Sequence, residues 1–135
     1  MLAIKPIEDK SVQKELCEDC GGTYISRHFA YILNECTDDG KTVLRTLGAC
    51  QFGMQNNRGE ISLLRTLPGI EDEEALMIAA RAAAHFLFRC EIRYVIFMEH
   101  AAEISLMEKL GFQPNADSMY ELDLLKYYTI PCHER

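Results

Sequence analysis

Residues 60–98 read EISLLRTLPGIEDEEALMIAARAAAHFLFRCEIRYVIFM. Residues 60–67 (EISLLRTL) read as a strand, and Pro68-Gly69 break it. Residues 71–89 form the clearest helix of the chain. Alanine is the best helix former, and carboxylates at a helix start complement its dipole. Beyond the acidic first turn, the polar residues are Arg81, His85 and Arg89, four apart and therefore on one face. The remainder is apolar, so most of this helix is buried. Residues 93–98 (RYVIFM) are a short apolar strand. A strand, a helix and a strand in this order predict two neighbouring parallel strands joined by a right-handed crossover.

Upstream, residues 2–7 (LAIKPI) alternate and predict a first strand, with Pro6 at an edge or strand end. Asp9 or Ser11 caps a short helix carrying Val12, Leu16 and Cys20, which Gly21-Gly22 stops. Residues 28–36 and 42–54 are extended runs separated by the turn Asp38-Asp39-Gly40-Lys41. Asn56-Asn57-Arg58-Gly59 turns the chain again into residues 60–67, which makes a three-stranded antiparallel meander. Downstream, residues 101–110 predict an amphipathic helix with Ile104, Met107 and Leu110 inward, ended by Gly111. Residues 119–125 (MYELDLL) alternate as a last strand. The expectation is a mixed α/β sheet of six or seven mostly antiparallel strands, with helices on both faces.

At 135 residues, against about 150 per domain, the whole chain (1–135) is expected to be one domain. Its 48% apolar and 26% charged residues exclude a disordered chain. Fourteen basic against twenty-one acidic residues give a net charge of −7, which opposes nucleic acid as a partner. No window approaches about 18 uninterrupted apolar residues, so no membrane span and no membrane partner are expected. The N-terminal residues are too polar for a signal peptide, and a cytoplasmic location follows. There the six cysteines read as thiols. Cys17-x-x-Cys20 is a lone pair, whereas structural zinc takes four ligands; Cys132-His133 are the only further pair that would complete a site. No metal is expected.

Three stretches carry a family resemblance: residues 47–54 (LGACQFGM), 60–68 (EISLLRTLP) and 104–112 (ISLMEKLGF). With the order of elements, they resemble the GNAT (GCN5-related N-acetyltransferase) superfamily over nearly the whole chain. The resemblance implies an acyl-CoA donor, acetyl-CoA above all, and an amine acceptor. It also implies that the strands at 60–67 and 93–98 splay, with the pantetheine arm adding between Leu64–Leu67 and Ile96–Met98. On that basis Leu64, Thr66, Leu67 and Gly69 are the expected cofactor-binding residues.

Two departures matter. Where the family's glycine-rich loop wraps the pyrophosphate, this chain has Pro68-Gly69-Ile70-Glu71-Asp72-Glu73-Glu74. A pyrophosphate needs converging N–H groups at a helix start. Four carboxylates stand there instead, and at about 4 Å and an effective dielectric of about 20 each unscreened like-charge contact costs about 4 kcal/mol, which exposure and salt reduce without reversing. Acetyl-CoA is therefore expected to bind weakly or not at all. The second departure is Met107, which takes the place of the family's tyrosine acid, while His100 falls on its common asparagine.

Glu99 and His100 follow the strand at 93–98, at its carboxyl end where open α/β sheets place ligands. They are the expected catalytic pair, acting as base toward the amine. Glu60 is a further candidate base, and Tyr24, Tyr31 and Tyr120 are candidate replacements for the missing acid. Arg81 and His85 read as a solvated stripe, and Tyr127-Tyr128 as an anchor on the sheet. Two functions stay open. One is an N-acyltransferase of weak or altered activity acting on a small amine. The other is a non-catalytic GNAT-like module that binds a ligand or an unknown protein in the same cleft. A homodimer is left open as the assembly.

Overall fold

The computed structural model describes residues 1–129. Seven strands form one sheet: β1 (Leu2–Pro6), β2 (Phe29–Cys36), β3 (Val43–Gln55), β4 (Arg58–Thr66), β5 (Tyr94–Phe97), β6 (Gln113–Pro114) and β7 (Tyr120–Asp123). Their order in space is β1-β2-β3-β4-β5-β7-β6. Only β4 and β5 are parallel, as the strand–helix–strand order requires; the other neighbours are antiparallel. The helices are α1 (Lys10–Asp19), α2 (Glu73–Arg89), α3 (Ile104–Lys109) and α4 (Leu124–Thr129).

Adjacent residues on β3 face opposite sides, as the period of two demands. Cys50 and Phe52 join Ile61, Leu64 and the alanines of α2 in the larger core. Ala49 joins Leu63, Leu16, Cys17 and Cys20 in a smaller core under α1. Helices thus cover both faces. The β3–β4 hairpin turns on Asn56 and Asn57, both at positive φ (54° and 60°), the conformation that a two-residue type I′ turn needs.

Several expectations shift. On α1, Asp9 is the cap, its carboxylate accepting from the Ser11 N–H. Val12 points to solvent and Gln13 is buried in its place. The helix expected from residue 101 begins at Ile104, which is exposed, while Leu106 turns inward with Met107 and Leu110. Residues 124 and 125 leave the last strand for α4, and the short β6 had no sequence signal. Tyr127 and Tyr128 pack against the larger core, and Tyr128 stacks on Phe88 of α2 at 4.5 Å between centroids.

Candidate functional site

The site begins with a slip in register. Gln51 of β3 lies opposite Leu63 of β4, yet Phe52 lies opposite Ile61, so Ser62 is an extra residue, a β-bulge. The bulge bends β4 where its pairing with β5 stops. Arg58–Ile61 pair with Tyr94–Phe97, and beyond them β4 runs on to Thr66 against β3 alone. The two parallel strands thus part after Ile61, and the edge of β4 from Ser62 to Thr66 borders a gap.

The chain itself fills part of that gap. Met98 N–H donates to the Ile61 carbonyl at 2.9 Å, one step beyond the ladder. Residues 98–101 then make a turn closed by Ala101 N–H donating to the Met98 carbonyl at 3.1 Å. The Ala101 carbonyl in turn accepts the Leu64 N–H at 2.8 Å. Arg65 Nη2 donates to the His100 carbonyl at 2.7 Å, while its buried Nε finds no partner among the described residues.

The expected cofactor-binding residues fall along this edge. Leu64 is buried, its N–H already engaged by Ala101. The Thr66 hydroxyl donates to the Ile70 carbonyl at 2.7 Å. The Leu67 carbonyl accepts the Ile70 N–H at 3.1 Å, closing a turn with Pro68 second and Gly69 third. Gly69 sits at φ 83°, the left-handed conformation that a type II turn places at its third residue. At the α2 start, the Asp72 carboxylate accepts the Ala75 N–H at 3.0 Å, a self-made cap. Glu73 pairs with Lys109 at 2.7 Å, drawing α3 beside the same helix end.

The expected catalytic pair lies at the surface within the Met98–Ala101 turn. His100 Nε2 stands 3.2 Å from Glu99 Oε1, and both side chains are more than four-fifths exposed. Tyr31 is not beside them. Its ring packs on Phe52 in the α2-side core, where burial raises its hydroxyl pKa. Met107 is buried in the same core and carries no transferable proton. Arg81 and His85 line the exposed side of α2.

Sequence reasoning missed a buried polar network on the α1 face, directly beside the bulge. Arg27 Nη1 donates to Glu60 Oε1 at 2.8 Å and to His28 Nε2 at 2.9 Å. A guanidinium only donates, so His28 carries its proton on Nδ1 and donates it to Ser62 Oγ at 2.8 Å. Ser62 Oγ donates to the Gln51 carbonyl at 3.1 Å and accepts from Gln51 Nε2 at 3.0 Å. Gln51 Oε1 accepts from Gln13 Nε2 at 3.0 Å and from Ile25 N–H at 3.1 Å. Lys10 and Gln13 donate to the His28 carbonyl. The imidazole lies against Gly53, where any β-carbon would collide with it. Burial pushes the His28 pKa down, the Arg27 charge pushes it further, and Glu60 opposes both. The network fixes the bulge from behind. The sequence offered two signals for it: Glu60, there only a candidate base, and Gln51, polar amid the apolar run of β3.

Cys17 and Cys20 pack under α1, where burial pushes their thiols up to about 12 and about 11, far from the thiolate that metals and electrophiles require. Cys36, Cys50 and Cys90 are likewise free thiols, and Cys132-His133 lie outside the described residues. Among the described residues no three His, Cys, Asp or Glu converge.

The arrangement can be set against an acyl-CoA donor. The free run of β4 and the turn at Gly69 suit an extended amide arm once Leu64 gives up its bond to Ala101. The α2 start does not suit a diphosphate, because Asp72 caps it and its neighbours are carboxylates.

No family model matches the chain, and no curated protein matches it. Solved structures do. The ribosomal-protein-S18-alanine N-acetyltransferase from Escherichia coli superposes with a TM-score of 0.63 at 14% identity, over 92% of this chain and 94% of that one. A Desulfovibrio desulfuricans protein assigned to the GNAT family of acetyltransferases gives 0.66 at 11%, over 92% and 99%. A chain of the NatC complex bound to Gag peptide and CoA gives 0.62 at 16%, over 90% and 98%. At such identities the likeness defines the fold: this chain folds as the GNAT acetyltransferases do.

Proposed function

We propose that the protein is a GNAT-type acyl-CoA N-acyltransferase that binds its donor weakly and takes a small amine as acceptor. The observation that carries this reading is the Ser62 bulge, which frees the edge of β4 from β5 at the carboxyl end of the parallel pair. Backbone groups of Leu64 and Thr66 and the Leu67–Gly69 turn are the residues that would hold the amide arm. The bound donor supplies an activated acyl thioester. An amine arrives as its ammonium at neutral pH, and only the free base attacks. His100 is the group that takes that proton, because its imidazole is open to solvent and Glu99 steadies it. Glu60 is poorly placed for this task, being buried and bound to Arg27. Its role is to hold Arg27 and His28 behind the bulge.

The test is donor-thiol release with a panel of small amines. His100→Gln should lower the rate about a hundredfold, the ordinary contribution of a positioned base. No amine-dependent thiol release at millimolar acetyl-CoA would remove the reading. A second reading, a non-catalytic module, is favoured by the Leu64–Ala101 hydrogen bond, by the capped acidic start of α2 and by Met107. A cytoplasmic setting and partners other than nucleic acid or membrane accompany either reading, and the net charge of −7 supports the exclusion of nucleic acid. A homodimer is compatible with both.

A further inference from the structure

We propose that the Met98–Ala101 turn is a latch: in the resting protein it occupies the donor edge of β4, and it must leave before an amide arm can pair there. The inference rests on the acyl-CoA reading for its ligand but not for its geometry. Three hydrogen bonds seat the turn on β4: Met98 N–H on the Ile61 carbonyl, Leu64 N–H on the Ala101 carbonyl and Arg65 Nη2 on the His100 carbonyl. The Leu64 N–H points to the side of β4 from which β5 has parted, so the turn and an added ligand strand compete for one donor.

The latch also has a weak point. His100 is the third residue of the turn and sits at φ 61°. Glycine or asparagine suits that position, histidine tolerates it, and a β-branched residue there is a true outlier. The His100 side chain is exposed and paired only with Glu99, also exposed, so changing it disturbs no core. Among the described residues, Arg65 is the one charged side chain hydrogen-bonded to the turn's backbone. The latch is therefore set by backbone conformation at one surface residue together with one guanidinium.

The experiment measures amide exchange at Leu64, and acetyl-CoA affinity by calorimetry, in the wild type, His100→Val and His100→Gly. Valine should destabilise the closed turn, and Leu64 should exchange about tenfold faster while Phe52 in the core is unchanged. Acetyl-CoA should bind about tenfold more tightly to His100→Val, with the wild type next and His100→Gly no tighter than the wild type. Arg65→Gln should also speed exchange at Leu64. Identical Leu64 exchange in all these proteins would overturn the latch, whether or not acetyl-CoA binds. Ordered exchange with no acetyl-CoA binding to any of them would support the latch and remove the acyl-CoA reading. Ordered exchange with an unchanged, measurable affinity would overturn the claim that the turn and the donor compete.

Discussion

Gly53→Ala should be among the most costly small substitutions in the protein, and His28 is the reason. A β-carbon at Gly53 would lie 2.4 Å from Cδ2 of His28 and 3.0 Å from two further ring atoms. Ordinary carbon contacts are about 3.5–4 Å, so the ring must retreat by about 1 Å. It has nowhere to go. His28 is fully buried, and its nitrogens are held by Ser62 and Arg27. Overpacking alone costs about 1–3 kcal/mol. Each hydrogen bond the ring abandons adds about 1 kcal/mol. The expected loss is about 2–4 kcal/mol in urea unfolding, followed by far-ultraviolet circular dichroism because the chain has no tryptophan. A double-mutant cycle isolates the cause. With His28→Ala the ring is gone, and alanine at 53 should then cost about 1 kcal/mol or less, a large coupling. Strict additivity of the two substitutions, or a Gly53→Ala loss below about 0.5 kcal/mol, would refute the collision argument.

Other outcomes follow from the same geometry. Asp72→Ala removes the α2 cap and should cost about 1 kcal/mol in the same unfolding assay, whereas Asp72→Asn should cost much less. Asp72→Asn with Glu73→Gln should tighten acetyl-CoA binding, and more at low salt, as calorimetry at two ionic strengths would report. The His28 pKa is lowered in the fold, so between its folded and unfolded values the unfolded chain binds more protons. Its contribution to stability is fully present above the unfolded value, about 6.5, and is lost as pH falls through the folded one, by at most about 1.36 kcal/mol per pH unit. Unfolding between about pH 7.5 and about pH 5 should show this fall in the wild type and a flatter profile in His28→Gln.

The β4–α2–β5 unit was legible because every local signal agreed: a strand ended by Pro68-Gly69, an alanine-rich helix with an acidic start, and a short apolar strand. The Asn56-Asn57 hairpin was legible for the same reason. What failed locally was overridden by distant partners. Ala101 and Ala102 are good helix formers, yet Ala101 is drawn into the gap by β4, so α3 starts late. Val12 seemed the inward residue of α1, but Gln13 is buried because Gln51, 38 positions away, satisfies its amide. His28 and Ser62 are 34 positions apart, and no periodicity brings them together. The candidate site divides in the same way. Leu64, Thr66, Leu67 and Gly69 came from a resemblance; the first two lie on β4 and the others in the turn that follows it. The Met98–Ala101 turn that occupies the β4 edge, and Arg65 tied to it, join residues 35 positions apart, beyond the reach of any local signal.

The most direct test of the closed donor edge and the acidic α2 start is a titration of the unmodified protein with acetyl-CoA in physiological salt. The prediction is saturable binding with a Kd above about 100 μM, equivalent to less than about 5.5 kcal/mol of binding free energy. A Kd in the low micromolar range would contradict both, since a donor bound that tightly needs the Leu64 N–H free and a helix start that welcomes a diphosphate.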